Sequence, residues 1–418
     1  MIAPAEARAR HHRWLAELTS IPTASGREGR VVAWIMRWVG ERAELAITTD
    51  PGGNLLVARR GGGGANTATG VPGLRPVLFT AHLDHPAFVV ERVIGPGTLQ
   101  LSFRGGVMDA YFADARIVVH AADGATRAGA IAGPTQAPAA PFKSWLAELD
   151  GGTEGVRPGD IATWDLPAAV VRDGLLHAPA CDDLAGVAAA LAALDVLLEL
   201  ERAGGPSHPS SGGHPAAGAR ADVQLLFTRA EEIGFAGAIA ACRHGTIPRG
   251  ARVIALENSR AFDESPIGGG PIVRVGDRLS IFSPGLTASI AAVAERIAAG
   301  APRAGDASAA APRPWAWQRK LMPGGACEAS VFCAYGHDAT CLCLPLGNYH
   351  NMGSLAAVQA GTHTAPPRIE PEVISMADFD GLVDLLVQCG RSLPEEPPIR
   401  SRIDRLWDER GFVLDEKP

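Results

Sequence analysis

The sequence predicts an α/β fold, a mostly parallel sheet sandwiched by helices, with a small all-β domain inserted into it. Three observations carry that prediction. First, the short apolar runs PVLFTAHLD (76–84), DVQLLFT (222–228), ARVIALEN (251–258) and ATCLCLPL (339–346) lack alternation and read as strands buried on both faces. Second, helical stretches separate them. Leu184–Leu200 is long and rich in alanine and leucine, and Gly234–Arg243 and Ser375–Ser392 follow the same pattern. Third, residues 88–174 alternate apolar and polar side chains between glycine turns, with almost no helical period. The expected division is therefore a catalytic domain from 1–87 and 175–418, and a β-rich insert from 88–174. Insertion at a loop tip is tolerated because the host chain's two ends lie close together there.

Composition narrows the class. The chain has 418 residues, 47% hydrophobic and 20% charged, with a formal net charge of -7. Such a chain can bury a sizeable core without disulfide staples. Mild acidity and the absence of basic runs argue against a nucleic-acid partner, which needs a concentrated positive field. No stretch approaches the roughly 20 apolar residues needed to cross a bilayer. The N-terminal segment places arginines and histidines where a signal peptide needs apolar residues, so a cytoplasmic location is expected. Seven cysteines without a CxxC pair fit that expectation as small, reduced, buried residues; Cys341 and Cys343 read as neighbours on one strand face. Segments 60–75, 202–221 and 299–314 are rich in Gly, Pro, Ala and Ser and read as surface loops. His208 and His214, within the second, read as solvated loop residues.

The chemistry lies in where acidic residues and histidines fall. His82 and Asp84 follow the first buried strand, Asp182 and Asp183 open the long helix, and Glu231 and Glu232 follow the second strand. Glu257 ends the third strand and His350 follows the fourth. In an open α/β sheet, ligands bind beyond the carboxyl ends of the strands, so these groups are expected to converge. Two histidines with several carboxylates and no thiolate suit zinc, cobalt or manganese in a hydrolytic site. Two metals about 3.5–4 Å apart need a bridging carboxylate and further ligands on each. Asp182 can bridge, with His82 and Glu257 on one ion and Glu232 and His350 on the other. Asp84 is close enough to accept from the second ring nitrogen of His82 and fix its tautomer. Glu231 is left free to take a proton from an acidified water and deliver it to a leaving amine. Helix capping explains any one acidic pair. It does not explain why every expected strand ends in a metal-compatible residue.

The order HLD (82–84), DDLAG (182–186), EEIGFAGA (231–238), LEN (256–258) and a late histidine resembles the co-catalytic dinuclear metallopeptidase clan. Within it, the chain is similar to the glutamyl aminopeptidase/tetrahedral aminopeptidase family. The β-rich segment directly after HLD matches that family's inserted domain. IGGGPIVRVGD (267–277) resembles its Gly-Pro segment on the substrate side. GGACEASVF (324–332) resembles its glycine-rich stretch, with Cys327 and Glu328 in place of Thr and Asp. The resemblance implies His82, Asp182, Glu232, Glu257 and His350 as metal ligands, Asp84 as the group orienting His82, and Glu231 as general base. It implies two divalent ions per subunit, zinc foremost, short peptides as substrates, and a homo-oligomer between a dimer and a dodecamer.

Departures from the family pattern bear on specificity. His85 stands where Glu is usual, Glu257 where Asp is commoner, and Asp183-Leu184 where Asp-Arg is usual. None removes a ligand. They keep open a related amidohydrolase acting on N-acyl amino acids or other small amides. A metal-binding assembly protein without catalysis would lack a ligand or the base, and neither is missing. Around the site, Glu328 is a candidate to hold a substrate amine, and Arg274 or Arg278 to meet a carboxylate. Tyr349 and Asn348 flank His350 and are placed to position it. Trp315 and Trp317 are expected to pack at the sheet edge. His337 and Asp338 fall at the far end of their strand, outside the site.

Overall fold

A computed structural model describes residues 5–61, 75–135, 141–204, 222–300, 315–394 and 399–415. Most of the three expected loops, with His208 and His214, lies outside them. Helices α1 (Ala5–Leu18) and α2 (Gly29–Gly40) precede the hairpin β1 (Leu45–Thr49) and β2 (Leu55–Arg59), then β3 (Val77–His82). Six strands follow: β4 (Ala87–Val93), β5 (Thr98–Arg104), β6 (Arg116–His120), β7 (Thr126–Pro134), β8 (Lys143–Leu149) and β9 (Ile161–Trp164). Next come β10 (Val170–Arg172), β11 (Leu175–Ala178), α3 (Leu184–Gly204), β12 (Val223–Thr228), α4 (Ala236–His244), β13 (Arg252–Arg260) and β14 (Ile272–Gly276). The remainder is α5 (Pro284–Gly300), β15 (Gln318–Leu321), α6 (Glu328–Ala334), β16 (Asp338–Leu346), α7 (Leu355–Gln359), β17 (Glu372–Ser375), α8 (Met376–Ser392) and α9 (Ile399–Arg410).

The main sheet runs β1-β2-β12-β3-β13-β16-β14-β15. Its centre, β12, β3, β13 and β16, is parallel, while β2 and β14 flank it antiparallel. The four centre strands are those expected from the apolar runs, and they are buried along nearly their whole length because helices cover both faces. One face packs on α3 and α8 through Leu191, Leu194, Phe379 and Leu386. The other packs on α4 and α6 through Ala238, Ala241 and Phe332. Helix α3 is alanine-rich because it is buried all round, where only small side chains let neighbouring backbones approach. Ser375 caps α8, accepting from the Asp378 N–H. Trp315 and Trp317 pack against the main core at the sheet edge.

Strands β4 to β9 close into a barrel in the order β4-β5-β8-β7-β6-β9. Its core is aromatic: Phe112 stacks on Trp145 with centroids 4.1 Å apart, and Phe88 meets Trp164 edge-on at 4.8 Å. The barrel ends at Trp164. Residues 170–172 pair instead with β11, which pairs with β17, so the change of sheet comes some residues before 174. Period-two alternation is the same in both places and carries no mark of which sheet a strand joins. Met352 and Leu355, just after His350, are part of the barrel's core, which fixes the site loop against the barrel.

Candidate metal centre

The expected residues gather at the carboxyl edge of the parallel strands. β3 ends on His82, which lies opposite Thr228, the last residue of β12; Glu257 on β13 lies opposite Cys343 on β16. Asp182 precedes α3, and His350 stands four residues after β16. His82, Asp84, Asp182, Glu231, Glu257 and His350 are buried, and Glu232 is half-buried. Asp338 is held at the other end of β16 by Arg75 and Ser283, outside the site.

Asp182 sits between the two imidazoles. Its Oδ1 is 3.5 Å from His82 Nε2 and its Oδ2 is 3.5 Å from His350 Nε2. Glu257 Oε2 lies 4.0 Å from His82 Nε2, and Glu232 Oε1 lies 3.4 Å from His350 Nε2. Ligand-type atoms of His82, Asp182 and Glu257 fall within 4.8 Å of one another, as do those of Asp182, Glu232 and His350. A third such group joins His82 to Glu231 and Glu232.

The imidazoles are held from behind. His82 Nδ1 lies 3.1 Å from the Asp84 carbonyl oxygen, and His350 Nδ1 lies 2.7 Å from the Gly106 carbonyl oxygen in the barrel. A carbonyl only accepts, so both Nδ1 atoms carry a proton and both Nε2 atoms face the carboxylates. The side-chain atoms Asp182 Oδ1, Glu232 Oε1, Glu257 Oε1 and His350 Nε2 are buried without a hydrogen-bond partner, which a divalent cation would satisfy.

Asp84 faces more than the ring of His82. Its carboxylate is 3.6 Å from His82 Nδ1, while its own carbonyl oxygen is nearer at 3.1 Å. That carboxylate accepts the Glu231 N–H at 2.9 Å, the Glu232 N–H at 3.1 Å and the Ser25 hydroxyl at 2.6 Å. Sequence reasoning also missed Glu372, which is fully buried. Its Oε2 accepts the N–H groups of Cys181 (2.7 Å) and Asp182 (3.0 Å), and its Oε1 accepts that of His350 (2.8 Å). His85 meets oxygen at both ring nitrogens, the Asp182 carbonyl at 2.6 Å and Asn351 Oδ1 at 3.0 Å. Tyr349 stacks on His350 with ring centroids 3.8 Å apart, while Asn348 turns away to the Pro371 carbonyl. His350 itself has φ +54, a left-handed conformation held by these contacts.

The site is short of positive charge. Burial raises the Glu257 pKa well above the carboxylate range, and Asp182 and Glu231 add to the rise. Burial also raises Glu231; His82 opposes that, but the neighbouring carboxylates Glu232 and Asp84 reinforce it. Burial lowers the pKa of His82 and His350, yet the surrounding carboxylates outweigh it and hold both well above the usual imidazole range. Bound cations would supply the charge this arrangement lacks.

A cavity of about 140 Å³ opens beside Glu257, lined by Ser259, Arg274, Met322 and Tyr349 among others. Arg274 is buried; its Nη1 donates to Ser259 Oγ at 3.1 Å and its Nε has no hydrogen-bond partner. Glu328 lies at the start of α6, buried, with one oxygen unpartnered. Burial lifts its pKa to about 7, against the opposing pull of His82.

Comparison with solved structures shows a shared fold. An aminopeptidase from the archaeon Desulfurococcus kamchatkensis superposes with TM-score 0.66 at 20% identity, covering 93% of this chain and 96% of that one. Pyrococcus horikoshii TET1 peptidase, which can assemble into a tetrahedron or a large octahedral shell, gives TM-score 0.66 at 22% identity over 92% and 100%. A TET aminopeptidase from the marine sediment archaeon Thaumarchaeota archaeon SCGC AB-539-E09 gives TM-score 0.66 at 19% identity over 92% and 98%. No curated protein matches in sequence. The family model of the M42 glutamyl aminopeptidases matches residues 148–300, so the resemblance to the glutamyl and tetrahedral aminopeptidases rests on both sequence and fold.

Proposed function

We propose that the chain is a dinuclear metal-dependent aminopeptidase that removes N-terminal residues from short peptides. The observation that carries this reading is Asp182, whose two oxygens face two different imidazoles, each joined by a further carboxylate. His82, Asp182 and Glu257 would hold one divalent ion, and Asp182, Glu232 and His350 the other. When bound, such ions polarise a carbonyl and make a water more acidic. Glu231 supplies the base: its Oε2 lies 4.0 Å from His82 Nε2, and it takes the water's proton there and hands it to the departing amine. Zinc is the reading for the metal, with cobalt and manganese compatible with the same donors.

The cavity beside Glu257 takes the side chain of the N-terminal residue. Arg274, buried with an unpartnered Nε, favours an acidic one, since a carboxylate there pairs a charge that burial leaves short of partners. The six-stranded barrel is the inserted domain, and it serves the site by holding His350 through Gly106. The chain works as a homo-oligomer: α9 leaves Ile403, Leu406 and Trp407 exposed, an apolar face that self-association covers. None of the helices of the described residues is long and apolar enough to cross a membrane. Seven free cysteines favour a cytoplasmic setting.

The test is a digest of free-amine peptides, N-acetylated peptides and N-acyl amino acids by enzyme reloaded with zinc, cobalt or manganese, read by mass spectrometry. Stepwise loss of N-terminal residues from free-amine peptides alone, abolished in Glu231→Gln, is expected. Cleavage confined to the acylated compounds would replace the aminopeptidase with an amidohydrolase.

A further inference from the structure

The segment that carries Glu231 and Glu232 is held in an unusual way. Four consecutive backbone N–H groups each donate to a side-chain oxygen from elsewhere in the chain. Arg229 N–H donates to Asn54 Oδ1 (3.1 Å) and Ala230 N–H to Glu28 Oε1 (3.1 Å). Glu231 and Glu232 N–H donate to the two oxygens of Asp84 (2.9 and 3.1 Å). At the centre of this run Ala230 has φ +53, a left-handed conformation that costs any residue with a Cβ. Gly237 packs directly against this run, and a Cβ there would lie 2.3 Å from the Arg229 carbonyl oxygen.

Glu28 is fully buried and belongs to the turn before α2, far from these residues in sequence. Its Oε1 also accepts the Gly26 N–H at 2.6 Å, and its Oε2 accepts Arg229 Nε at 2.8 Å. The same turn sends the Ser25 hydroxyl to Asp84 Oδ2. Glu28 therefore holds the backbone of Ala230 and the side chain of Arg229, the two residues before the base, and its neighbour Ser25 holds the carboxylate that grips the base's own N–H.

We propose that Glu28 is a positioning residue for Glu231: it holds the left-handed Ala230, and that turn aims the Glu231 carboxylate at the metal centre. The proposal rests on Glu231 acting as base. A carboxylate is required because each oxygen accepts from a donor; an amide keeps one oxygen and turns an NH2 against an N–H. Without the grip, Ala230 relaxes toward negative φ and carries Glu231 out of line.

The experiment is Glu28→Gln in the full chain, read in two ways. Hydrogen exchange of the metal-free protein at peptides spanning 229–237 is expected to rise about tenfold, because local opening no longer breaks the Glu28 bonds. Turnover of the metal-loaded enzyme is expected to lose about 10- to 100-fold in kcat with KM within twofold, the signature of a misplaced base. Adding Ala230→Gly is expected to recover most of that kcat, because glycine adopts the left-handed turn freely. A merely structural Glu28 would gain nothing from that glycine. If Glu28→Gln does not fold, Glu28→Asp, which draws the carboxylate back by one methylene, takes its place with the same expectations. Unchanged exchange over 229–237, or a kcat loss that Ala230→Gly leaves untouched, overturns the proposal. Glu231→Gln run alongside separates the two ideas: if it still turns over, the assignment of the base is wrong, whatever the exchange shows.

Discussion

Glu372 Oε1 accepts the backbone N–H of His350 at 2.8 Å. Its other oxygen accepts the N–H groups of Cys181 and Asp182, so one buried carboxylate fixes the backbone of two residues that face each other across the metal centre. Asp182 precedes α3 and His350 follows β16, and Glu372, at the start of β17, ties them together.

Glu372→Gln is therefore expected to weaken metal binding before it unfolds the protein. The amide turns a donor toward one of these N–H groups, and losing such support lowers metal affinity by about 10- to 100-fold. Competitive titration with a metal indicator on metal-free protein measures this. Affinity equal to the parent's would show that Asp182 and His350 are held well enough without Glu372.

The two ion positions share one residue, which makes metal stoichiometry diagnostic. Glu257→Ala removes a donor from the position next to His82 only and is expected to leave one ion bound per subunit. His350→Ala is expected to leave one ion at the other position. Asp182→Ala removes the shared carboxylate and is expected to lose both, since each ion keeps too few ligands. Elemental analysis after dialysis gives the counts, and full occupancy in Asp182→Ala would refute its bridging role.

Arg274 carries the specificity prediction. Replacing it with Met keeps the aliphatic bulk and removes the charge. The kcat/KM for peptides beginning with Glu or Asp is expected to fall about 100-fold, the cost of about 3 kcal/mol for a lost charge-assisted hydrogen bond, while peptides beginning with Leu change little. Equal losses for both peptide sets would place Arg274 in the fold rather than in recognition.

Much of this site was legible because its groups sit where strand chemistry puts them. A short apolar run with polar residues at or just past its end marks both a buried strand and its open end, and β3, β12, β13 and β16 each did so. Glu372 and Glu28 were not legible. Both act on backbone N–H groups, which every residue carries, so no residue type or spacing betrays the partner; only the folded path brings Glu28 to Ala230. Asp84 shows the same limit from the other side. Its nearness to His82 in sequence suggested a contact with the ring, and its carboxylate lies 3.6 Å from His82 Nδ1, but that spacing gave no sign of the N–H groups of Glu231 and Glu232 that it also accepts. The antiparallel flanks of the sheet were hidden too, because a strand buried on both faces looks alike in either direction.

Acid stability offers a prediction independent of the metals. Asp195 on α3 is buried and receives Arg10 at 2.5 Å, Arg42 at 3.0 Å and His11 at 3.1 Å. Burial raises its pKa, but the bonds from His11, Arg10 and Arg42 outweigh that and bring it down from 3.8 to about 2. A pKa lower in the folded than in the unfolded chain stabilises the fold above the unfolded value, and that stability is lost as pH falls toward the folded one. The window is pH 4 to 2, and the shift amounts to about 2 kcal/mol. In metal-free protein, the parent's stability is expected to fall across that window more steeply than that of Asp195→Asn, which lacks the titrating group and starts lower. Urea unfolding followed by circular dichroism between pH 5 and pH 2 measures both. Parallel pH profiles for the two proteins would mean that Arg10, Arg42 and His11 hold Asp195 no better than water does.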